Sequence, residues 1–344
     1  MAVGGPRVGV VPVVVPEVFA QATTDREGEQ GRAWIESLPG LVGQLLELWR
    51  CDVDGPVSHG GVALIVPVRT RDDELGVLKV SFTHPGNMHE PDALQAWRGN
   101  GAVRLLDRHD VSFAMLLERV SPRPLTVVKD TDGVMQIAGE HSRRLAIPAP
   151  AACLALTTVL ADWRVDIERG SAELPDLFPD SVNATALETM TSSGHAPRVL
   201  IHGDLHAGNI LKSERAGWLA VDPKGWTGDR AFDAGMVVKW VAVRMLHGAP
   251  DSDYSDRAVG RALDVYAEAA ELDRDLARRW AQVHALQSAY WIRDHGIRRA
   301  RRGAPRDPRH RIRRSSRCIV GQAVGANDMR MPAGALSPAA HCRP

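Results

Sequence analysis

The sequence predicts an α+β fold in which a small strand-rich N-terminal lobe precedes a larger, mainly helical one. Three observations lead there. A chain of 344 residues can bury a sizeable core and most often divides into two lobes. Alternating apolar residues concentrate between residues 60 and 120, whereas 3.6-residue periodicity dominates after residue 121. An apolar content of 44% with 24% charge is that of an ordinary globular chain, and no apolar run is long enough to span a bilayer, so a cytoplasmic protein is expected.

Each element follows from local pattern. Residues 1–30 are expected to be a loosely ordered leader, because "VGVVPVVVP" is short and broken by Pro12 and Pro16. Helical periodicity then runs through Trp34, Leu41, Leu45, Leu46 and Trp49. "GGVALIVPVRTRDDELGVLKVSF" reads as two strands around a polar turn at residues 70–74. "HEPDALQAWRGNGAVRLLD" reads as helix with a glycine break, and the apolar "VSFAMLLERV" as a strand. Residues 31–119 thus form the first lobe and 120–296 the second, built from segments such as "AACLALTTVLADWRVDIERG" and "DRDLARRWAQVHALQSAYWIRDHG".

Residues 297–344 carry no apolar periodicity and are expected to be a disordered basic tail. From Arg298 onward there are 12 basic and 2 acidic residues, which leaves 30 basic and 40 acidic in the body. An acidic body suits a cationic small molecule and argues against nucleic acid, for which the tail alone is a candidate. Cys51, Cys153, Cys318 and Cys342 are scattered and form no C-x-x-C pair, so reduced thiols are expected. Lysine is scarce, at positions 79, 129, 212, 224 and 239 only.

The chemistry concentrates in "IHGDLHAGNIL", residues 201–211. As a zinc site it is weak, since Gly203 and Gly208 disfavour the helix that would align His202 with His206. The chain has no G-x-S-x-G nucleophile elbow and no Walker-type phosphate loop. A phosphotransferase loop fits better. Asp204 and Asn209 stand five apart, the spacing at which an aspartate takes the acceptor hydroxyl's proton and an asparagine holds Mg²⁺. A second metal carboxylate should follow a short hairpin, and "ILKSERAGWLAVDPKG" supplies strand, turn, strand and then Asp222. Lys79 in "GVLKV" lies on a strand, opposite in face to Leu78 and Val80, where it can reach ATP phosphates; Glu90, at the start of the next helix, is its candidate partner.

Together, "IHGDLHAGNIL", "AVDPKGWTGDRAFDAG", "VLKV", "HEPDALQAWRGNGAVRLLD" and "AMLLERV" make the chain resemble the aminoglycoside phosphotransferase family, within it the branch of streptomycin 6-kinases and hydroxyurea phosphotransferases. "GRAWIESLPGLV" is similar to that branch too, and the likeness runs from about residue 31 to residue 296. The resemblance implies a protein-kinase-like two-lobe fold with ATP and Mg²⁺ in the cleft. By motif, it implies Asp204 as catalytic base, Asn209 and Asp222 as magnesium ligands, and Lys79 with Glu90 as the phosphate-positioning pair. "LLERV" is implied as the hinge, where backbone groups of Leu117, Glu118 and Arg119 meet adenine. The stretch before Lys79 lacks G-x-G-x-x-G, so Ser58, Gly60 and Gly61 stand as candidate phosphate contacts. Asp233 or Asp229, and His202, are expected to brace the catalytic loop.

The implied activity is phosphorylation of a hydroxyl on a small molecule, foremost a cationic aminoglycoside of the streptomycin type. Asp251, Asp253, Asp256, Glu268 and Glu271 are candidates for a cation-binding wall. Hydroxyurea or a metabolite as acceptor, and a nucleotide-binding protein of this fold without catalysis, are the alternatives.

Overall fold

A computed structural model of the chain describes residues 13–236, 240–241 and 256–301. Two compact units interleave along it. One comprises Met1–Pro124, Ala149–Cys153 and Asn209–Gly225; the other comprises Leu125–Pro148, Leu154–Gly208 and Trp226–Pro344. A linear boundary at 119/120 does not anticipate the two later segments that return to the first unit.

The first unit opens with α1 (Glu17–Trp49), which is two helices joined at Gly28, whose φ of 65° and ψ of −138° lie where only glycine sits comfortably. Residues 17–30 are therefore helical up to that break rather than the loose leader expected. The reason is a buried pair one turn apart, Phe19 and Thr23, that the polar composition around them concealed. Beyond the break, Leu38, Val42, Leu45 and Leu46 repeat at helical spacing and face a sheet.

That sheet is six-stranded and antiparallel: β1 (Cys51–Val53), β2 (Ser58–His59), β3 (Ala63–Thr70), β4 (Leu75–Ser81), β5 (Leu105–His109) and β6 (Ala114–Glu118). Its order is β1-β3-β4-β6-β5, with β2 on β3. Leu64, Val66 and Val68 of β3 and Leu78 and Val80 of β4 share the face packed on α1. Each such side chain contributes roughly 1.5–3 kcal/mol on burial. Lys79 points the other way, as alternation requires.

Helix α2 (Glu90–Trp97) ends earlier than its apolar pattern suggested. Arg98, Gly99 and Gly101 all take left-handed backbone angles, and Leu105–His109 pairs with β6 as a strand instead of continuing as helix. The predicted hairpin forms as β7 (Ile210–Ser213) and β8 (Gly217–Ala220). It is stitched into the first unit by Val103 N–H to Ala220 O at 3.0 Å, Ser121 N–H to Lys212 O at 3.1 Å and Lys212 N–H to Arg123 O at 2.9 Å.

The second unit is helical, with α3 (Thr131–Leu145), α4 (Leu156–Glu173), α5 (Asp180–Ser192) and the helices Asp256–Ala270 and Arg274–Arg301. A small sheet joins Trp226–Gly228 to Leu154–Ala155 in parallel and to Val199–Ile201 in antiparallel fashion. Phe232 sits at the centre of its core, 0% exposed, with ring centroids of Trp163, Trp226, Trp280 and His284 at 5.5, 5.8, 5.2 and 4.5 Å. The last helix runs through Arg301, past the expected start of the basic tail; residues 302–344 lie outside the described ones. No helix among the described residues is long and apolar enough to cross a membrane.

Emptying the Phe232 position removes a ring that four others contact. Phe232→Ala is expected to lower unfolding free energy by about 3–5 kcal/mol in urea titrations; a loss below about 1 kcal/mol would displace Phe232 from the centre of this core.

Candidate functional site

In the first unit, β4 and α2 bring two distant charges together. Lys79 Nζ lies 2.6 and 2.8 Å from the two carboxylate oxygens of Glu90, and 2.7 Å from Oδ1 of Asp222. The Lys79 and Glu90 side chains are 8% and 1% exposed, whereas Asp222 is 43% exposed. Burial pulls the Lys79 ammonium down, but the carboxylates of Glu90 and Asp222 outweigh it and hold the lysine above its ordinary range. Burial pushes the Glu90 carboxyl up, and Asp222 adds to this; Lys79 opposes both. A buried pair of this kind fixes geometry more than it stabilises the fold.

The hairpin places the other two candidates of this unit. Asn209 precedes β7 and Asp222 follows β8, and the Val221 amide donates to Asn209 O at 2.9 Å, closing the hairpin at their level. Asp222 has φ of 60°, a conformation aspartate tolerates better than most residues. An amide oxygen and a partly exposed carboxylate are hard donors suited to a hydrated Mg²⁺, which binds through one or two protein carboxylates.

Leu117 and Glu118 end β6, and Arg119 follows it. The amide of Glu118 donates to Arg104 O at 2.9 Å and that of Arg119 to Leu75 O at 3.3 Å, so both are used inside this unit. The Glu118 side chain accepts from Arg215 Nε at 2.9 Å and from the Arg104 amide at 3.0 Å. Burial raises the Glu118 carboxyl, but these donors more than reverse that and hold it below the usual range. It thereby ties the hairpin tip to β6. Arg119 bonds Asp54 through both its backbone and its carboxylate oxygens.

In the second unit, Asp204 stands on the loop after the strand Val199–Ile201. Gly203, at φ of 79°, makes the turn that a side chain would strain. Asp233 is 2% exposed and accepts the His202 amide at 3.0 Å and the Gly203 amide at 2.9 Å. His202 is fully buried, and its Nδ1 accepts the Asp204 amide at 3.3 Å. The bracing roles expected of Asp233 and His202 are visible in these bonds. Asp229 does different work, accepting from Ala231 N–H and Trp280 Nε1, each at 2.9 Å. His206 Nδ1 accepts the Gly208 amide at 3.0 Å. A neutral ring then carries its proton on Nε2, the nitrogen 4.0 Å from Asp204 Oδ1.

Residues 48–296 match the family model described as "Aminoglycoside/hydroxyurea antibiotic resistance kinase". The chain belongs to this antibiotic resistance kinase family. It is 35% identical over 294 residues to a streptomycin 6-kinase of Streptomyces glaucescens, a match covering 81% of this chain and 91% of that one. It is 33% identical over 294 residues to a hydroxyurea phosphotransferase of Kitasatospora aureofaciens, covering 83% and 82%. Among solved structures, a choline/ethanolamine kinase family protein from Mesorhizobium loti superposes with a TM-score of 0.52 at 14% identity, covering 79% of this chain and 89% of that one. The fold is the α+β, protein-kinase-like one, and the protein is a phosphotransferase with an alcohol group as acceptor.

As a kinase of this family, the chain holds two features that sequence reasoning passed over. One is the direct Lys79–Asp222 contact. The other is Gly225, with φ of 64°, where a Cβ would come within 2.4 Å of His89 O, the residue before Glu90. A glycine three residues after Asp222 was the available signal. Of the acidic candidates for a substrate wall, Glu268 and Glu271 are exposed and face Arg274 and Arg143. Asp251 and Asp253 lie outside the described residues, as does the side chain of Asp256.

Burial pushes the Asp233 carboxyl up to about 7, against the backbone amides that favour its ionised form. Asp233→Asn turns one acceptor oxygen into a donor facing a backbone N–H, and is expected to cost about 1–3 kcal/mol by thermal denaturation. The pH dependence has a definite sign. Between 3.8 and about 7 the unfolded chain has lost this proton and the folded one keeps it, so wild type should lose stability relative to Asp233→Asn as pH rises through that window. A difference that stays flat or grows would show that the Asp233 carboxyl is not raised.

Proposed function

We propose that this protein is an ATP- and Mg²⁺-dependent kinase that phosphorylates a hydroxyl of a streptomycin-type aminoglycoside. The observation that carries the kinase chemistry is the buried Lys79 ammonium held by Glu90 and reaching Asp222. The substrate class is supported by the likeness to the streptomycin 6-kinase.

Lys79 orients the α- and β-phosphates, with Glu90 fixing the direction of its ammonium. Asn209 and Asp222 hold magnesium, which when bound supplies neutralising charge to the phosphate oxygens. The backbone of Leu117 to Arg119 borders the adenine, through groups other than the amides of Glu118 and Arg119. Asp204 accepts the proton of the acceptor hydroxyl as its oxygen bonds to the γ-phosphorus and the bond to ADP breaks. Asp233 and His202 hold the Asp204 loop so that this carboxylate does not have to be ordered during reaction. A small neutral acceptor is the second reading, favoured by the 33% identity to the hydroxyurea phosphotransferase.

Release of ADP from purified protein, measured with streptomycin, other aminoglycosides and hydroxyurea, discriminates these readings. Streptomycin-dependent turnover is expected in wild type, and Asp204→Asn should lower kcat by roughly 10²–10⁴. Turnover with hydroxyurea alone would move the substrate to the second reading, and an active Asp204→Asn would remove the proposed base. Chelation of divalent ions should abolish turnover, with recovery on adding Mg²⁺; full activity under EDTA would rule out the metal ligands.

A further inference from the structure

We propose that the helical segment of residues 17–27 is a latch that positions the turn at residues 58–61 against nucleotide phosphates, with Phe19 and Arg26 as its positioning residues. The inference rests on the kinase reading above, together with Ser58, Gly60 and Gly61 as the phosphate contacts expected from the sequence.

Ser58 and His59 are paired on β3 opposite Ile65 and Leu64, and the chain turns back beyond them through the two glycines. Residues 58–61 are exposed, and a Cβ at Gly60 or Gly61 would meet nothing within 4 Å, so packing does not require glycine at either place. What the glycines supply is bare backbone and conformational freedom, and freedom weakens binding unless another element removes it first. Within the turn, the Gly60 amide donates to Ala63 O at 2.8 Å.

The segment 17–27 grips both sides of this turn. Phe19 stacks on the His59 imidazole, with centroids 5.2 Å apart and planes at 27°. Arg26 Nη1 donates to Gly61 O at 3.0 Å, which selects one orientation for the peptide between residues 61 and 62. Phe19 is itself anchored, 1% exposed and edge-on to Trp34 at 6.0 Å. Trp34 meets Phe82 at 5.5 Å, and the Phe82 amide donates to Val62 O at 2.8 Å, so the anchor leads back to the same turn. The break at Gly28 is what lets residues 17–27 leave the line of the following helix and lie over it. Arg26 argues for more than core filling, because its side chain is 39% exposed. The matched family region begins at residue 48, after the latch.

A latch acting through the turn affects phosphate binding and leaves adenosine binding alone; a merely structural role affects both. Calorimetric titration of the full-length protein with Mg²⁺–AMP-PNP and, separately, with adenosine tests this in Arg26→Ala, His59→Ala and Phe19→Ala. The exposed Arg26 and His59 changes keep the test valid should Phe19→Ala fail to fold. Each variant is expected to weaken AMP-PNP about three- to tenfold, the loss of one modest contact, with adenosine affinity unchanged. Phe19→Ala combined with His59→Ala should be no worse than the poorer single change, since both break one stack. Unchanged AMP-PNP affinity in Arg26→Ala and His59→Ala, equal weakening of both ligands, or additive effects of Phe19→Ala and His59→Ala would each overturn the latch. Wild type that binds neither ligand would instead overturn the kinase reading, and the latch with it.

Discussion

An ammonium buried on the sheet face opposite α1 must be matched by carboxylates, because taking it from water without them would cost several kcal/mol. Lys79 is matched twice, by the buried Glu90 and by the partly exposed Asp222. The two partners differ in what they can do. Glu90 is locked in the first turn of α2 and sets the direction of the ammonium. Asp222, at the end of a hairpin, is the partly exposed partner, with 43% of its side chain open to solvent. One lysine thus couples a strand, a helix and a hairpin, which is why the hairpin has to return to the first unit although it follows some 80 residues of the second.

That return is secured by backbone pairing as well as charge. Residues 101–103 and 121–123 lend their peptide groups to the hairpin strands, and Arg215 at its tip reaches Glu118. Gly225 then passes so close to His89 that a side chain would not fit. The loop bearing Asp222 and the helix bearing Glu90 are consequently fixed against each other at two points. A change at either point reaches Lys79 through the other.

The second unit solves a different problem, that of holding a carboxylate on a loop. The loop around Asp204 has no regular ladder, so its amides are satisfied by Asp233 and by the His202 ring. Asp233 in turn belongs to the turn centred on Phe232, in the aromatic core. The rigidity of the loop therefore derives from core packing rather than from secondary structure.

Spacing alone pointed to Lys79, Glu90, Asp204, Asn209 and Asp222, because strand alternation, a helix start and a short hairpin are local properties written in neighbouring residues. The fold class was legible for the same reason, as periodicity of two gave way to 3.6. Local signals misled where glycines and arginine bent the chain after α2, and where two buried residues ordered a polar leader. Only the tertiary structure decided that Asp222 touches Lys79, that Glu118 holds Arg215, and that Phe19 stacks on His59. Such contacts join residues tens to more than a hundred positions apart, and they are settled by which surfaces remain unburied once the local elements have formed, a quantity with no period along the sequence.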